Sequence, residues 1–381
     1  MKNYKKIFMV DLINQHKKIQ KKLDKAILDV SHKSDFINGE EVKLFSKELS
    51  EYLSDDIYTI PCGNGTDALQ IALMALNLKP GDEIIVPAFS YAATVEVIVL
   101  LGLIPVFVDV DPLTFNLDVS KLEELITTKT KVIIPVHLFG QGVDMEKLIL
   151  ISKKFNLKVI EDNAQSLGAT YTFSNSEIKK LGTIGDIGCT SFFPTKNLGC
   201  MGDGGAIFTS DPELAEQIKM IANHGQQIKY HHNILGCNSR LDTIQASILR
   251  IKLNQLDNYI FERKKAANNY DEILKNVHQV HLPFKTLYST HSYHQYTLKV
   301  PAEKRDELQI FLKQKGIPSM IYYPIPLHFQ NAYRKFKKSK SKLDISESLS
   351  KEVISLPMHT ELNNQMQKII SKQIIDFFNK K

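Results

Sequence analysis

Cysteine is scarce in this sequence, and long apolar runs are absent from it. The 381 residues include four cysteines, Cys62, Cys189, Cys200 and Cys237, and no two are spaced as C-x-x-C. This pattern predicts free thiols in a reducing compartment. No apolar stretch approaches the roughly 20 residues needed to span a bilayer, and the apolar run near the N-terminus is too short for a signal peptide. We therefore expect a cytoplasmic protein.

A strong excess of one charge is also missing. Lys and Arg number 48 against 42 Asp and Glu, a net charge of +6, with lysine-rich runs at residues 17–25 and 334–342. A nucleic-acid surface would need a denser basic stripe with interleaved aromatic residues. We interpret both runs as solvated faces, although the small excess is compatible with an anionic substrate. The composition is that of a globular protein, and the length suggests two or three domains.

Short apolar runs alternate with helical patterns through much of the chain. Runs such as EIIVP, IPVFVDV, VIIPV and LKVIED are nearly continuous, as in parallel strands that are covered on both faces. Helices are expected between them, including one that starts near Val119, and a single long helix is expected over 242–274. Strands at 291–300 and 317–325 and a helix at 364–378 follow. We predict an α/β large domain, residues 1–245, with a mixed, mainly parallel sheet, and a small C-terminal α+β domain, residues 246–381.

The stretch CTSFFPTKNLGCMGDGG, residues 189–205, places one lysine between a strand-like run and a glycine-rich bend. The strand is predicted over 189–193, and Lys196 follows Pro194. Proline and glycine fix and bend the backbone, so we expect the lysine amine to be held in place. A held and partly desolvated lysine has a lowered pKa, and its amine can form a Schiff base with a carbonyl compound.

Chemically distinctive residues follow four of the predicted strands. Gly65 and Thr66 open a helix, where free N–H groups attract anions, while Tyr91, Asp162 and Lys196 follow three other strands. Ligands collect at the carboxyl ends of parallel strands. Taken singly, these features fit a β–α turn, a packed aromatic ring and an N-cap. Taken together, they match the needs of pyridoxal phosphate: an anion site, a packed ring, a carboxylate for the pyridine nitrogen and a lysine for the aldehyde.

Two other patterns carry little weight. Glycines at 182–188 are spaced G-x-x-G-x-x-G but do not follow a strand cleanly, so a dinucleotide fingerprint is not predicted. His224, His231 and His232 have no accompanying carboxylate cluster, so a metal site is not predicted. Loop polarity or substrate contact is the preferred interpretation of these histidines.

Seven blocks along the chain resemble, in order, those of the DegT/DnrJ/EryC1/StrS family of nucleotide-sugar aminotransferases. They are GNGTDAL, VPAFSYAAT, VIEDNAQSLGA, SFFPTKNLG, GDGGAIFT, GCNSRLDTIQASIL and YYPIPLH. The resemblance covers nearly the whole length and implies a fold-type-I enzyme that uses pyridoxal 5'-phosphate. It is strongest to the subgroup that transfers the amino group of L-glutamate to C3 of a nucleotide-linked 3-keto sugar, for O-antigen or surface glycan synthesis.

Other activities stay open at this point. Amination at C4 of the sugar is one alternative, and a cofactor-binding regulator without turnover is another. Neither the nucleotide, UDP or dTDP, nor the substituents at C2, C5 and C6 follow from the sequence. Relatives that act on uronic acids have a histidine where this chain has Tyr322, which argues against a carboxylate at C6.

The resemblance also implies roles for individual residues. Lys196 is the expected catalytic residue and forms the Schiff base, and Asp162 pairs with the pyridine nitrogen. The other expected cofactor-binding residues are Gly65, Thr66 and Ser191 at the phosphate, Tyr91 on the ring, Gln165 near the ring hydroxyl, and Asn238 of the partner subunit in a homodimer with shared active sites. The expected substrate-binding residues are His231, His232, Arg240, Tyr322 and Tyr323.

Overall fold

The computed structural model describes residues 6–337 and 342–379, so part of the predicted basic run at 334–342 lies outside the described residues. The α-helices are α1 (Leu12–Lys17), α2 (Gln20–Lys33), α3 (Glu40–Leu53), α4 (Gly65–Ala75), α5 (Ala93–Leu100), α6 (Met145–Lys154), α7 (Pro212–Ala222), α8 (Thr243–Leu253), α9 (Leu256–Leu274), α10 (Ala302–Gln314), α11 (Asp344–Glu352) and α12 (Asn364–Phe378). The strands are β1 (Tyr58–Cys62), β2 (Glu83–Pro87), β3 (Ile104–Val108), β4 (Thr130–Ile133), β5 (Lys158–Asp162), β6 (Thr170–Thr172), β7 (Ile178–Lys180), β8 (Ile187–Ser191), β9 (Gly205–Thr209), β10 (Gln226–Ile228), β11 (His231–His232), β12 (Tyr296–Lys299) and β13 (Val353–Leu356).

Seven strands form the central sheet, in the order β1-β9-β8-β5-β4-β2-β3. Strand β9 runs antiparallel to its neighbours β1 and β8, whereas the pairs β8–β5, β5–β4, β4–β2 and β2–β3 are parallel. The predicted mixed, mainly parallel sheet is therefore confirmed. The continuous apolar runs reflect burial on both faces, since all five residues of β2 are buried.

Helices cover both faces of this sheet. On β2, Ile84 and Val86 pack into the core cluster that includes residues of α4, α5 and α7, while Ile85 between them packs into the cluster that includes residues of α6. This alternation follows from the two-residue period of a strand. Both sets of helices are thereby packed firmly on the sheet, and the loops at its edges can carry functional residues.

The C-terminal part has a core of its own. Strands β12 and β13 pair antiparallel, and residues of these strands pack with α9, α10 and α12 around Tyr270, Leu308 and Ile370. Helix α8 instead packs with α3, for example Leu249 with Phe45. The division between residues 245 and 246 stays a prediction. Within the described residues, no helix is both long and apolar enough to cross a membrane.

Several predicted elements differ from the structure, among them the strand predicted over 291–300, which is shorter, Tyr296–Lys299. The helix expected near Val119 is only two short 3₁₀ turns, Val119–Lys121 and Glu123–Leu125. The single helix over 242–274 is interrupted, because the Asn254 side chain donates to the Arg250 carbonyl at 2.9 Å and competes with the backbone for that acceptor. The strand over 317–325 is irregular, since its prolines supply no N–H to a ladder.

Candidate active site

The ends of β5 and β8 and the start of α4 meet at one edge of the sheet. Asp162 is the last residue of β5 and pairs in register with Cys189 of β8. Gly65 opens α4, and a Cβ atom placed on it would lie 2.6 Å from Cβ of Ser191, the last residue of β8. The structure therefore brings together the residues that the sequence places after different strands.

The first turn of α4 forms a cradle for an anion. The Asn64 side chain accepts from the Asp67 N–H at 2.8 Å, while the N–H groups of Gly65 and Thr66 precede any intrahelical acceptor. A Cβ on Gly205 would lie 2.5 Å from the carbonyl carbon and oxygen of Asn64, so only glycine lets β9 approach this closely. A phosphate group fits such a helix start, where N–H groups and the helix dipole both favour negative charge.

Lys196 lies in a short loop beyond β8. The strand ends at Ser191 and not at Phe193 as predicted, because the chain turns as soon as it leaves the sheet. The Lys196 N–H donates to the Phe193 carbonyl at 2.8 Å. The Lys196 side chain is partly buried, and its backbone is held in a tight turn two residues beyond the strand end.

The charges of Lys196 and Asp162 influence one another. Burial lowers the pKa of Lys196 to about 8, although the carboxylate of Asp162 opposes this change. Burial raises the pKa of Asp162, against hydrogen bonds from Thr94 and Ala164 and the charge of Lys196. At neutral pH, an amine with a pKa near 8 is deprotonated, with a free lone pair, in a far larger fraction of molecules than an ordinary lysine is. That is what attack on a carbonyl requires.

Asp162 is held by two donors. The Thr94 hydroxyl donates to Oδ2 at 2.8 Å, and the Ala164 N–H donates to Oδ1 at 3.2 Å. The Asp162 side chain is only 6% exposed. These two hydrogen bonds therefore fix the orientation of the Asp162 carboxylate within the site.

A second buried carboxylate, Glu161, precedes Asp162 in β5. It accepts from Nε2 of His137 at 2.8 Å, and both side chains have 0% exposure. The Gly182, Ile184 and Gly185 N–H groups also donate to it. Burial acts against the charge, but the hydrogen bonds from His137 and the backbone hold the pKa of Glu161 below its usual value. Glu161 thus ties β5 to the loop that precedes β8.

Aromatic residues line another part of the candidate site at this edge of the sheet. The Tyr91 side chain is 61% exposed, and its ring lies 6.2 Å from that of Tyr323. Gln165 accepts from the Phe139 N–H at 2.8 Å and donates to the Tyr323 hydroxyl at 3.0 Å. Tyr322 is hydrogen-bonded to the side chain of Gln295, which directly precedes β12. Tyr91 therefore offers an open ring face beside Gln165 and the tyrosine pair.

The remaining predicted residues lie further out. His231 and His232 are exposed on the β10–β11 hairpin, and Arg240 donates to Oδ1 of Asn223 at 3.2 Å. Asn238 is exposed, but its neighbour Ser239 donates to Asp67 at 2.6 Å near the start of α4. The described contacts of this chain do not bring His231 or His232 to Lys196, so their roles stay predictions.

Several supporting residues escaped sequence analysis. Thr94 lies in the block VPAFSYAAT, but nothing in the sequence links its hydroxyl to Asp162, and His137 carries no motif that distinguishes it from ordinary polar residues in buried segments. His294 is also buried, and burial beside Lys196 lowers its pKa well below the usual value. Its Nδ1 has no hydrogen-bond partner among the described residues. Since these side chains come from separate segments, no local spacing rule links them to the site.

A model of the DegT/DnrJ/EryC1/StrS aminotransferase family matches residues 17–374. A pleiotropic regulatory protein of Geobacillus stearothermophilus is 44% identical, over 97% of this chain and 98% of the relative. A UDP-2-acetamido-2-deoxy-3-oxo-D-glucuronate aminotransferase of Pseudomonas aeruginosa is 45% identical, over 96% and 98%. A UDP-N-acetyl-3-dehydro-alpha-D-glucosamine 3-aminotransferase of Acidithiobacillus ferrooxidans is 40% identical, over 94% of each chain.

Solved structures agree over the whole fold. A crystal structure of a DegT DnrJ EryC1 StrS aminotransferase from Brucella abortus has a TM-score of 0.92 at 39% identity and covers 98% of this chain and 100% of its own. The structure of NtdA from Bacillus subtilis, with the bound cofactor PMP, has a TM-score of 0.88 at 30% identity and covers 100% of this chain and 87% of its own.

Proposed function

The chain belongs to the DegT/DnrJ/EryC1/StrS aminotransferase family, and from this premise we propose that it transfers the amino group of L-glutamate to C3 of a nucleotide-linked 3-keto sugar. The observation that carries the proposal is the placement of Lys196, whose pKa is lowered to about 8, within electrostatic reach of the buried Asp162 at the edge that also holds the start of α4. Relatives named as 3-oxo and 3-dehydro sugar aminotransferases support C3 as the position.

The cofactor of this family is pyridoxal 5'-phosphate, and the residues present fit it. The close approach of Gly65 to Ser191 and of Gly205 to Asn64 leaves a backbone-lined cradle of the kind that holds a phosphate. We assign the phosphate to Gly65, Thr66 and Ser191. When bound, this cofactor supplies an aldehyde for Schiff-base formation and a ring that accepts electrons from a carbanion.

The other residues of the site orient the reaction. Asp162 would stabilise positive charge on the pyridine nitrogen of a bound cofactor, Tyr91 would cover its ring, and Gln165 would bind near its hydroxyl. Nζ of Lys196 would hold the cofactor aldehyde, and as a free amine it would take up and return a proton during the reaction. Such proton transfer contributes roughly 10²- to 10⁴-fold to a rate. Glutamate enters first and leaves as 2-oxoglutarate, after which the keto sugar receives the nitrogen.

A homodimer completes the proposal. The exposed side chain of Asn238, beside the anchored Ser239, is free to reach the phosphate site of a second copy. His231, His232 and Arg240 lie in the same segment, and we assign them, with Tyr322 and Tyr323, to recognition of the sugar nucleotide. The product would enter O-antigen or another surface glycan, and the four free cysteines fit the reducing cytoplasm.

Glutamate turnover tests the proposal. Protein loaded with pyridoxal phosphate should change its visible absorbance when L-glutamate is added and should release 2-oxoglutarate. Borohydride reduction followed by peptide mass spectrometry should locate the cofactor on Lys196. Lys196→Ala protein should give neither result. Turnover of glutamate and keto sugar by that variant would show that the assignment is wrong.

Substrate position and nucleotide need a separate comparison. UDP- and dTDP-linked sugars with the ketone at C3 or at C4 should be supplied in turn, and the products identified by mass spectrometry and NMR. Amination at C3 is expected, and amination at C4 alone would replace this part of the proposal.

A regulator without turnover is the second candidate, since one relative is named a pleiotropic regulatory protein. Both Lys196 and Asp162 are present in this chain, which supports catalysis. A bound cofactor whose absorbance does not respond to glutamate would favour the regulator.

A further inference from the structure

Lys252, near the end of α8, is buried although it lacks a carboxylate partner among the described residues. Its side chain is 2% exposed, and its ammonium donates to the Gly199 carbonyl at 2.6 Å. Burial lowers the pKa of Lys252 to about 8. A buried cation is costly unless it is paired or hydrogen-bonded, so this contact is the main compensation for its burial.

The Gly199 carbonyl that Lys252 contacts lies near the end of the loop that carries Lys196. The Cys200 N–H donates to the Phe192 carbonyl at 2.7 Å, so the two ends of the loop are joined. At Gly199 a Cβ would lie 2.5 Å from the Pro194 carbonyl oxygen. The backbone of the loop is therefore tightly packed at Gly199, and the Lys252 ammonium holds the Gly199 carbonyl there. Loss of that cation would let the loop, and Lys196 with it, relax to other positions.

A second side chain of α8 contacts the same loop. Gln245 accepts from the Met201 N–H at 2.8 Å and donates to the Met201 carbonyl at 3.4 Å. Positions 245 and 252 are seven residues apart, so they lie on one face of the helix, two turns from each other. Helix α8 therefore holds the loop after Lys196 at two nearby residues, Gly199 and Met201.

We propose that Lys252 is a positioning residue for catalysis: by binding the Gly199 carbonyl, it sets the reach and direction of the Lys196 amine. Gln245 acts in the same way, more weakly, because its contact is neutral and lies nearer the solvent. The proposal rests on the proposed function only in taking Lys196 as the amine that reacts with a carbonyl. The wild-type protein tests that premise by itself.

Lys252→Met removes the ammonium and keeps most of the side-chain volume. The probe is pyridoxal phosphate added to the apoprotein, and the readouts are the rate of adduct formation on Lys196, trapped with borohydride and quantified by mass spectrometry, and the single-turnover rate with glutamate. Because hydrogen bonds from charged donors are stronger than neutral ones, both rates should fall roughly tenfold or more. The concentration of glutamate giving the half-maximal rate should change little. Lys252→Arg, which keeps a cationic donor, should restore part of the loss.

Two controls separate positioning from general stability. Lys265→Met makes the same change at an exposed site on α9 and should leave both rates unchanged. Leu308→Ala destabilises the C-terminal core away from the loop, and it should lower the melting temperature without slowing adduct formation. Slower reaction in Lys252→Met than in Leu308→Ala at a matched folded fraction supports the proposal.

Equal rates in folded Lys252→Met and wild-type protein would overturn the proposal. If Lys252→Met does not fold, Gln245→Leu decides the question, since that residue is only partly buried. A smaller but measurable slowing of adduct formation supports positioning by α8, and unchanged rates overturn it. If wild-type protein forms no adduct on Lys196, the proposed function fails instead.

Discussion

The Thr94 hydroxyl donates a 2.8 Å hydrogen bond to Oδ2 of Asp162, and the two side chains are 1% and 6% exposed. Thr94 lies in α5 and Asp162 ends β5, so the contact joins a helix that covers the sheet to a strand inside it. Burial by itself raises the pKa of Asp162, and this hydroxyl is the largest influence that favours the charged form. Thr94 therefore supports the carboxylate charge on which the proposed electron sink depends.

Thr94→Val should weaken the reaction without unfolding the protein. Valine has nearly the shape of threonine but cannot donate, so the carboxylate loses a bond worth about 1.5–3 kcal/mol. The glutamate single-turnover rate should fall roughly tenfold or more, and the affinity for pyridoxal phosphate should decrease. Thr94→Ser keeps the hydroxyl and is the matched control. Identical rates for the valine and serine variants would contradict this role of Thr94.

Lys196→Met should stabilise the apoprotein at neutral pH. The pKa of Lys196 is about 8 in the folded chain and 10.5 for an ordinary lysine, so the folded state binds its proton more weakly than the unfolded state does. The unfavourable free energy of burying the protonated amine is fully present below pH 8 and disappears as the pH rises to 10.5. Methionine should therefore raise the free energy of unfolding by up to about 3 kcal/mol at pH 7.

Urea unfolding of both apoproteins between pH 6 and pH 10.5 measures this effect. The difference in free energy of unfolding should keep its full size below about pH 8 and should shrink above it. A difference that is independent of pH would mean that packing, and not desolvation of the amine, separates the two proteins.

Gly205→Ala should damage the phosphate cradle. The new Cβ would lie 2.5 Å from the carbonyl group of Asn64, and backbone atoms cannot move aside as a flexible side chain can. Overpacking of this kind costs about 1–3 kcal/mol, and the displaced start of α4 should bind pyridoxal phosphate more weakly. Equilibrium titration of the cofactor measures the loss. At Gly202 the nearest atom is the end of the Gln245 side chain at 3.1 Å, so Gly202→Ala should bind the cofactor nearly normally.

Glu161→Gln should destabilise the protein more than any exposed carboxylate variant. An amide cannot accept from His137 and three backbone N–H groups at once, and breaking such a buried pair costs about 3–5 kcal/mol. Since the pKa of Glu161 is lowered in the folded chain, its stabilisation is present above the unfolded pKa and is lost as the pH falls through the folded one. The difference from wild type in urea unfolding should therefore narrow below about pH 4.5.

Glu123→Gln is the matched control for that prediction. Glu123 pairs with Lys154 at 2.7 Å, but the side chains are 48% and 59% exposed. Such pairs contribute about 0–1 kcal/mol. Comparable losses in the two variants would contradict the special role of the buried pair.

Much of the site was predictable because strand ends share an edge. The order that places Gly65, Asp162 and Lys196 after three separate strands was enough to bring them together, since parallel strands end on the same side of a sheet. Element boundaries were less predictable. The helix expected over 242–274 breaks at Asn254, where a side chain competes for a backbone carbonyl, and periodicity does not register one such hydrogen bond.

Local pattern was sufficient for the α/β class and for the placement of Asp162 and Lys196 at or just beyond the ends of their strands, because each depends on a residue's place in its own strand or turn. Tertiary packing alone decided what supports them. Thr94 reaches Asp162 across 68 positions of the chain, and Lys252 reaches Gly199 across 53. Both contacts exist only because α5 and α8 are fixed against the sheet and the lysine loop, and the burial that lowers the pKa of Lys196 arises in the same packing.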